Sequence, residues 1–263
     1  MSGLANKTFI ISGASQGIGR ALAVELARRG ARLVLNARGA QGLETAAMAA
    51  AEAAAEAAPD GPLLGEDAVA MVPGNAAHPD CAARLVETAM ALNPDGLDGL
   101  VHAAGVLRPG PTLWELPPDH FDEVVEASVT AAHRLLAAAM PVLLDQGHGL
   151  VVLFGSGSAE IVQPGIAAYC AAKAAEEHLV RQLAEEAPDV TSLVYRPGVV
   201  ETRMQEQARQ AEGGAAHVLR PMFQSWKDRG QLLTPEASAR ALANIMESPA
   251  PFHGRIATVA DGR

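Results

Sequence analysis

The sequence has few aromatic residues (3%, with two tyrosines and two tryptophans), two cysteines in 263 residues, and no basic run longer than Arg28-Arg29. Each scarcity excludes something. Cys81 and Cys170 lie far apart without C-x-x-C spacing, which argues against a disulfide framework or a zinc ribbon and fits two small buried residues in a reducing compartment. The net charge of −10 repels phosphate backbones and anionic lipid, so nucleic acid is not an expected partner. The eight histidines never form H-E-x-x-H or H-x-E, and no metal is expected. Uninterrupted apolar stretches such as Leu135 to Leu144 reach about half of the roughly 18 residues a membrane helix needs, so no membrane span is expected. Met1 to Lys7 runs into a strand-like Thr8-Phe-Ile-Ile11 without the basic region, apolar stretch and cleavage site of a secretory signal, and the expected location is cytoplasmic.

What is present is ample core material: 49% hydrophobic residues, punctuated by 25 glycines and 17 prolines. Short apolar runs recur at Phe9–Ile11, Leu33–Leu35, Val69–Val72, Gly99–Val101, Leu150–Phe154, Thr191–Tyr195 and Ile256–Val259. They are near-continuously apolar rather than alternating, as strands buried on both faces are. Between the first two, Ile18, Leu22 and Leu26 recur at helical spacing, and Gly30 stands where a left-handed cap belongs. The alternation predicts an α/β fold: a single doubly wound Rossmann-type domain over 1–263, with a mostly parallel seven-stranded sheet and helices on both faces.

Ala46 to Ala58 reads as an exposed alanine-rich helix ended by Pro59-Asp-Gly-Pro62. Thr234-Pro235-Glu236 combines an N-cap, a first-turn proline and an acid at the positive end of the dipole, predicting a helix to about Glu247. Before it, Gln205 to Leu233 is polar, holds Gly213-Gly214 and shows no single periodicity. A substrate lid is expected around 203–233.

The chemistry-bearing residues follow strand ends. Ser12-Gly13-Ala-Ser15-Gln16-Gly17-Ile18-Gly19 opens the first helix, where glycines let the backbone approach a pyrophosphate resting on free helix N–H groups. The second strand ends in Ala37-Arg38, about where an acid grips the adenosine ribose of NAD. Alanine removes that acid and Arg38 can pair with a 2′-phosphate, which favours NADP(H); the plain alternative is an arginine solvated at a strand end. Tyr169-Cys-Ala-Ala-Lys173 puts a phenol and an ammonium on one helix face. The lysine is expected to lower the tyrosine pKa toward the working range, so that Tyr169 exchanges a proton with a carbonyl or alcohol oxygen. Ser156, thirteen positions earlier, is close enough in sequence to converge on the same oxygen.

Together, Gly13-x-x-x-Gly17-x-Gly19, Ser156, Tyr169-x-x-x-Lys173 and Arg196-Pro-Gly-Val-Val-Glu-Thr202 resemble the short-chain dehydrogenase/reductase family along almost the whole chain. The resemblance implies an NADP-dependent oxidoreductase with Tyr169 as acid/base, Lys173 binding the nicotinamide ribose and tuning Tyr169, and Ser156 holding the substrate carbonyl. It implies that Pro197, Gly198, Val199 and Thr202 lie against the nicotinamide carboxamide and phosphates, that Asn75 contacts adenine, and that Ala103 and Gly105 contribute main-chain contacts. Two positions depart from the family pattern. His102-Ala103-Ala104-Gly105 replaces Asn-Asn-Ala-Gly, and Ser128 stands where an asparagine usually joins the proton relay. Ser128 either holds a water in that role or is a plain helix residue.

Thr202 to Gln207, Phe223 to Leu233 and Pro235 to Ala239 resemble the sepiapterin reductase and benzil reductase branch, which implies a carbonyl reductase acting on small ketones or vicinal dicarbonyls. Within the same family stand a 3-oxoacyl thioester reductase and a secondary-alcohol dehydrogenase; outside it stands a non-catalytic NADP-binding sensor. The family also implies a homodimer or homotetramer through helices matching Phe121–Leu144 and Tyr169–Glu186. Alanines 131, 132, 137, 138 and 139 suit either that association or packing on the chain's own sheet.

Overall fold

The computed structural model describes residues 3–57 and 68–263. Its strands are β1 (Thr8–Ser12), β2 (Arg32–Ala37), β3 (Val69–Pro73), β4 (Gly99–His102), β5 (Leu150–Phe154), β6 (Thr191–Arg196) and β7 (Arg255–Thr258). Each coincides with a predicted apolar run. They pair in the order β3-β2-β1-β4-β5-β6-β7, and every pairing is parallel.

Successive strand residues face opposite sides, and both sides are covered. Phe9, Ile11, Leu33, Leu35, Val152 and Tyr195 pack in one cluster with Leu22, Leu26 and Leu242. Ile10, Val34, Leu100, Val151 and Val194 pack in the other with Leu85, Leu135 and Leu183. This two-sided burial is why the strands read as continuous apolar runs. The helices supplying those layers are α1 (Gly17–Arg28), α2 (Ala40–Ala57), α3 (Pro79–Leu92), α4 (Pro118–Val125), α5 (Ala131–Gln146), α6 (Ala167–Glu186), α7 (Arg203–Arg209), α8 (Ala216–Asp228) and α9 (Pro235–Glu247).

Local signals act as expected at the ends. Gly30 takes φ +83° just past α1, and Thr234 Oγ1 accepts from the Ala237 amide at 3.1 Å to start α9. The alanine-rich helix begins at Ala40, earlier than its composition suggested; Ala58 and the Pro59–Pro62 loop lie outside the described residues. Gln205–Leu233 holds most of α7 and all of α8, two helices which the sequence reading missed. Gly213-Gly214 divides them and Pro221 lies inside α8, so neither segment repeats long enough to expose a period.

Five residues between α4 and α5, Glu126–Thr130, form a π turn without breaking the helix. The helical run Pro118–Gln146 is long and apolar enough by length and composition to span a membrane, contrary to the expectation from uninterrupted apolar stretches. Alanines raise its average without lengthening any one run. Its Ala131, Ala132, Leu135, Ala139 and Leu143 are buried in the core on one face of the sheet. Three of the five alanines weighed for association therefore pack on the chain's own sheet, while Ala137 is exposed and Ala138 half-buried.

The strand order reverses between β1 and β4, which opens a crevice at their carboxyl ends. The chains leaving these strands touch there. A Cβ on Gly13 would stand 2.5 Å from the Ala104 nitrogen, and one on Gly19 would stand 2.3 Å from the Gly13 carbonyl oxygen. Gly19→Ala is expected to lower stability by about 1–3 kcal/mol, because backbone must move to admit the methyl group. Gly39→Ala, where nothing lies within 4 Å, should leave the urea midpoint nearly unchanged; equal midpoints for the two variants would refute the crowding argument.

Candidate active site

Four chain segments meet at the crevice. In the first, the turn from β1 into α1, Gly13 and Gly17 adopt φ +77° and +56°. Gln16, the N-cap residue of α1, makes no side-chain cap. The amides of the first helical turn are thus left for an anion, favoured there by the helix dipole. The Thr202 side chain closes on this turn from the β6 side: a Cβ on Gly17 would meet its Cγ2 at 3.5 Å. Pro197, Gly198 and Val199 lead to it, with Gly198 at φ +78°. The Pro197 carbonyl accepts from Ser238 Oγ at 3.1 Å, which ties the segment to α9.

The second segment carries the phenol. Lys173 lies one turn after Tyr169 on α6, and its Nζ sits 5.7 Å from the Tyr169 ring centroid. That ammonium is almost completely buried. It donates to the Phe154 carbonyl at 2.7 Å and lies 2.8 Å from Glu176 Oε2. Burial pulls the Lys173 pKa down, but Glu176 and Tyr169 outweigh it and hold the ammonium above its ordinary value. Gly105, after β4, faces the same ammonium; a Cβ there would lie 3.8 Å from Nζ.

Ser156, at the end of β5, is the third member. Its Oγ accepts from the Ser158 amide at 3.1 Å, so its own hydrogen is free to point elsewhere. It lies near the Tyr169 phenol and favours its ionised form. The backbone of Ser156 is held from below: its amide donates to Glu177 Oε1 at 3.3 Å, and Glu177 takes two bonds from Arg196, at 2.8 and 2.7 Å. The expected lowering of the Tyr169 pKa does not survive in the structure. Burial raises it, and the opposing pull of Lys173 and Ser156 does not overcome that.

The fourth segment, where β2 and β3 end, is more heavily bonded than the sequence suggested. Arg38 is neither solvated alone nor unpartnered, since Nη1 donates to Glu123 Oε1 at 2.9 Å. Glu123 also takes Arg108 Nε at 2.6 Å. Asn75 Nδ2 donates to Glu126 at 3.2 Å and Oδ1 accepts from the Ala77 amide at 3.0 Å, leaving that oxygen one further lone pair. The Ala103 amide donates to the Ser12 carbonyl at 3.0 Å.

The two departures from the family pattern meet each other in the interior. His102 is fully buried, and burial together with the nearby Lys173 pulls its pKa to about 3. The neutral ring's Nε2 lies 3.2 Å from the Ser128 carbonyl, which can only accept, so Nε2 carries the proton. Nδ1 then accepts from Ser12 Oγ at 2.6 Å. Ser128 Oγ is buried without a hydrogen-bond partner. Of the cysteines, Cys81 is buried as expected, whereas Cys170 beside Tyr169 is only half-buried.

Residues 7–213 match the family of short chain dehydrogenases. This chain belongs to that family. An uncharacterised oxidoreductase of Schizosaccharomyces pombe is 30% identical over 92% of each chain. The NADPH-dependent pterin aldehyde reductase of Arabidopsis thaliana is 31% identical, covering 76% of this chain and 78% of its own. Among solved structures, an alcohol dehydrogenase of the archaeon Thermococcus sibiricus, complexed with 5-hydroxy-NADP, aligns with TM-score 0.75 and 25% identity over 96% and 95% of the two chains.

In this short chain dehydrogenase, the sequence reading missed Glu123, Glu126, Glu176 and Glu177. The last two were accessible, because residues three and four beyond Lys173 share its helix face. The first two pair with residues far away in sequence, which no local spacing reveals. Breaking the Glu177–Arg196 pair by Glu177→Ala leaves the Ser156 amide without its partner and the guanidinium with the exposed Glu160 alone. A loss of about 3 kcal/mol is expected in urea unfolding; a loss below about 0.5 kcal/mol would show that Ser156 is held by other means.

Proposed function

We propose that this chain is an NADPH-dependent carbonyl reductase acting on a small ketone or vicinal dicarbonyl. The observation that carries the reading is the convergence of the Ser156 hydroxyl and the Lys173 ammonium on the half-buried Tyr169, beside an uncapped glycine-rich helix start.

A dinucleotide fits the residues present. Gly13, Ser15, Gln16, Gly17, Ile18 and Gly19 would hold its pyrophosphate on backbone amides, at a turn already so tight that a methyl group is refused. Arg38 would take the 2′-phosphate by exchanging its bond to Glu123, Asn75 would meet adenine, and Ala103 and Gly105 would offer main chain. Pro197, Gly198, Val199 and Thr202 would face the carboxamide and phosphates, and Lys173 would use its remaining donor on the ribose. NADPH, when bound, supplies the hydride that forms the new C–H bond as the C=O π bond breaks.

The protein's part is the oxygen. Ser156 donates to the carbonyl oxygen and fixes its place, Tyr169 gives up its proton to that oxygen as charge develops, and Lys173 stabilises the phenolate left behind. Residues 203–233 form a substrate lid over this site. Their base is pinned where the Leu233 amide donates to the Val199 carbonyl at 2.8 Å and Glu201 donates back at 2.9 Å. Met204, Met222 and Trp226 pack around the same cluster as Tyr169 and Cys170, an apolar ceiling suited to a small carbonyl compound rather than a polar sugar.

Initial rates of NADPH and NADH oxidation across vicinal diketones, simple ketones and a 3-oxoacyl thioester test the reading. Diketone turnover with NADPH is expected, and Tyr169→Phe should cut kcat by orders of magnitude while leaving NADPH affinity nearly intact. Undiminished turnover in that variant sinks the mechanism, and tight NADPH binding with no turnover favours the sensor reading. Arg38→Ala should weaken NADPH about tenfold and leave NADH nearly unchanged, as loss of a charge-assisted phosphate contact requires; equal weakening of both would remove the 2′-phosphate assignment.

A further inference from the structure

A buried carboxylate stands behind the Tyr169–Lys173 pair. Glu176 follows Lys173 by three residues on α6, on the face that also carries Tyr169. Its side chain has no exposed surface, with Oε2 2.8 Å from Lys173 Nζ and Oε1 3.7 Å from His102 Nε2. Among the described residues, no hydroxyl or amide donates to either oxygen. Desolvating a carboxylate is costly, and the 2.8 Å contact with the buried Lys173 ammonium is what offsets that cost. His102 does not need it for hydrogen bonding, having Ser12 and the Ser128 carbonyl, whereas Lys173 has the Phe154 carbonyl for one donor and Glu176 as its counter-charge.

Its consequence is electrostatic. A lone ammonium beside Tyr169 favours the phenolate, whereas an ammonium already paired with a buried carboxylate does so much less. We propose that Glu176 is a positioning residue that offsets the Lys173 charge at Tyr169, keeping the phenol protonated and setting the site to give a proton to a carbonyl rather than take one from an alcohol. The inference rests on Tyr169 being the acid of the proposed reaction, and it adds a working direction to that reaction.

The other groups around the pair do not change the balance. From β4, His102 is neutral, its Nε2–H turned to the Ser128 carbonyl of the π turn. From β5 and its end come the Phe154 carbonyl and the neutral Ser156 hydroxyl. On α6 itself, Cys170 has its thiol pushed up by burial, and Glu177 is taken by Arg196. Lys173 and Glu176 are the main charges that act on the phenol, with a smaller upward push from Cys170; burial raises the Glu176 pKa and Lys173 opposes it. Burial raises the Tyr169 pKa, Lys173 and Ser156 lower it, and Glu176 raises it again. Removing the carboxylate therefore favours the phenolate and lowers the pKa.

The chain offers a direct readout, because it has only two tyrosines. Tyr195 is buried, donates to the Ser238 carbonyl at 2.7 Å, and has its pKa pushed up to about 12. Phenolate absorbance that appears below Tyr195's range, in the cofactor-free protein, thus belongs to Tyr169. Tyr169→Phe must abolish that step. Glu176→Gln is expected to move its midpoint acidward by about one unit or more, Glu176→Leu to do the same, and Glu176→Asp, which keeps the charge, to stay near wild type. The rising limb of the alcohol-oxidation pH profile should shift with the titration.

An unmoved midpoint in a folded Gln or Leu variant overturns the proposal. So does failure of both to fold, which would assign Glu176 to the architecture alone. The titration needs neither cofactor nor substrate, so its failure is separate from turnover surviving in Tyr169→Phe, which would instead strike the proposed reaction.

Discussion

The approach of Gly13 to the Ala103–Ala104 backbone is the constraint on which the site depends. At the reversal of strand order, two chains leave neighbouring parallel strands and diverge, and the crevice between them is only as well defined as their contact at the root. Glycine at 13 and 19 lets that contact be backbone on backbone. With the root fixed, β4 delivers Gly105 to the Lys173 ammonium, and β5 delivers the Phe154 carbonyl to the same atom. The position of the phenol follows from a sheet register, not from a loop.

Charge is handled in a consistent way around this root. Glu177 with Arg196, Glu176 with Lys173, and Glu123 with Arg38 and Arg108 are pairings between an acid on a helix and a base on or near a strand end or on the same helix. They differ in exposure and hence in consequence. Arg38 is largely exposed, so its pairing is easily exchanged and contributes little to stability. Glu176 and Lys173 have almost no contact with solvent, so both act on the phenol nearby; Glu176 holds the ammonium charged, while Lys173 opposes but does not overcome the burial that raises the Glu176 pKa.

Much of the fold was legible because two-sided burial writes itself as unbroken apolar runs: all seven strands fall where those runs are. Thr234-Pro235-Glu236 announced α9 because capping is a local interaction. The site was legible where its chemistry depends on helical spacing, as with Tyr169 and Lys173, or on a strand end, as with Ser156. It was not legible where segments distant in sequence meet. Arg38 was read as solvated or phosphate-bound, yet its partner comes from α4. The acidity of Tyr169 was misread because spacing shows the lysine but not the burial that outweighs it. Glu176 was within reach of the same spacing rule and was not singled out.

The π turn at Glu126–Thr130 has a consequence for how one long helix serves two clients. Val124 and Ala131 are seven residues apart, a separation that places two side chains on one stripe of a regular α-helix. The turn takes up one extra residue and rotates everything beyond it by about 100° relative to what precedes it. Val124 accordingly packs with Ala168 and Ala172 of α6, whereas Ala131 and Leu135 pack in the core against the sheet. The phase slip splits a single apolar stripe between the underside of α6 and the body of the molecule, so closing the turn into regular α-helix without removing a residue would turn half of the helix away from its partner with no side chain changed.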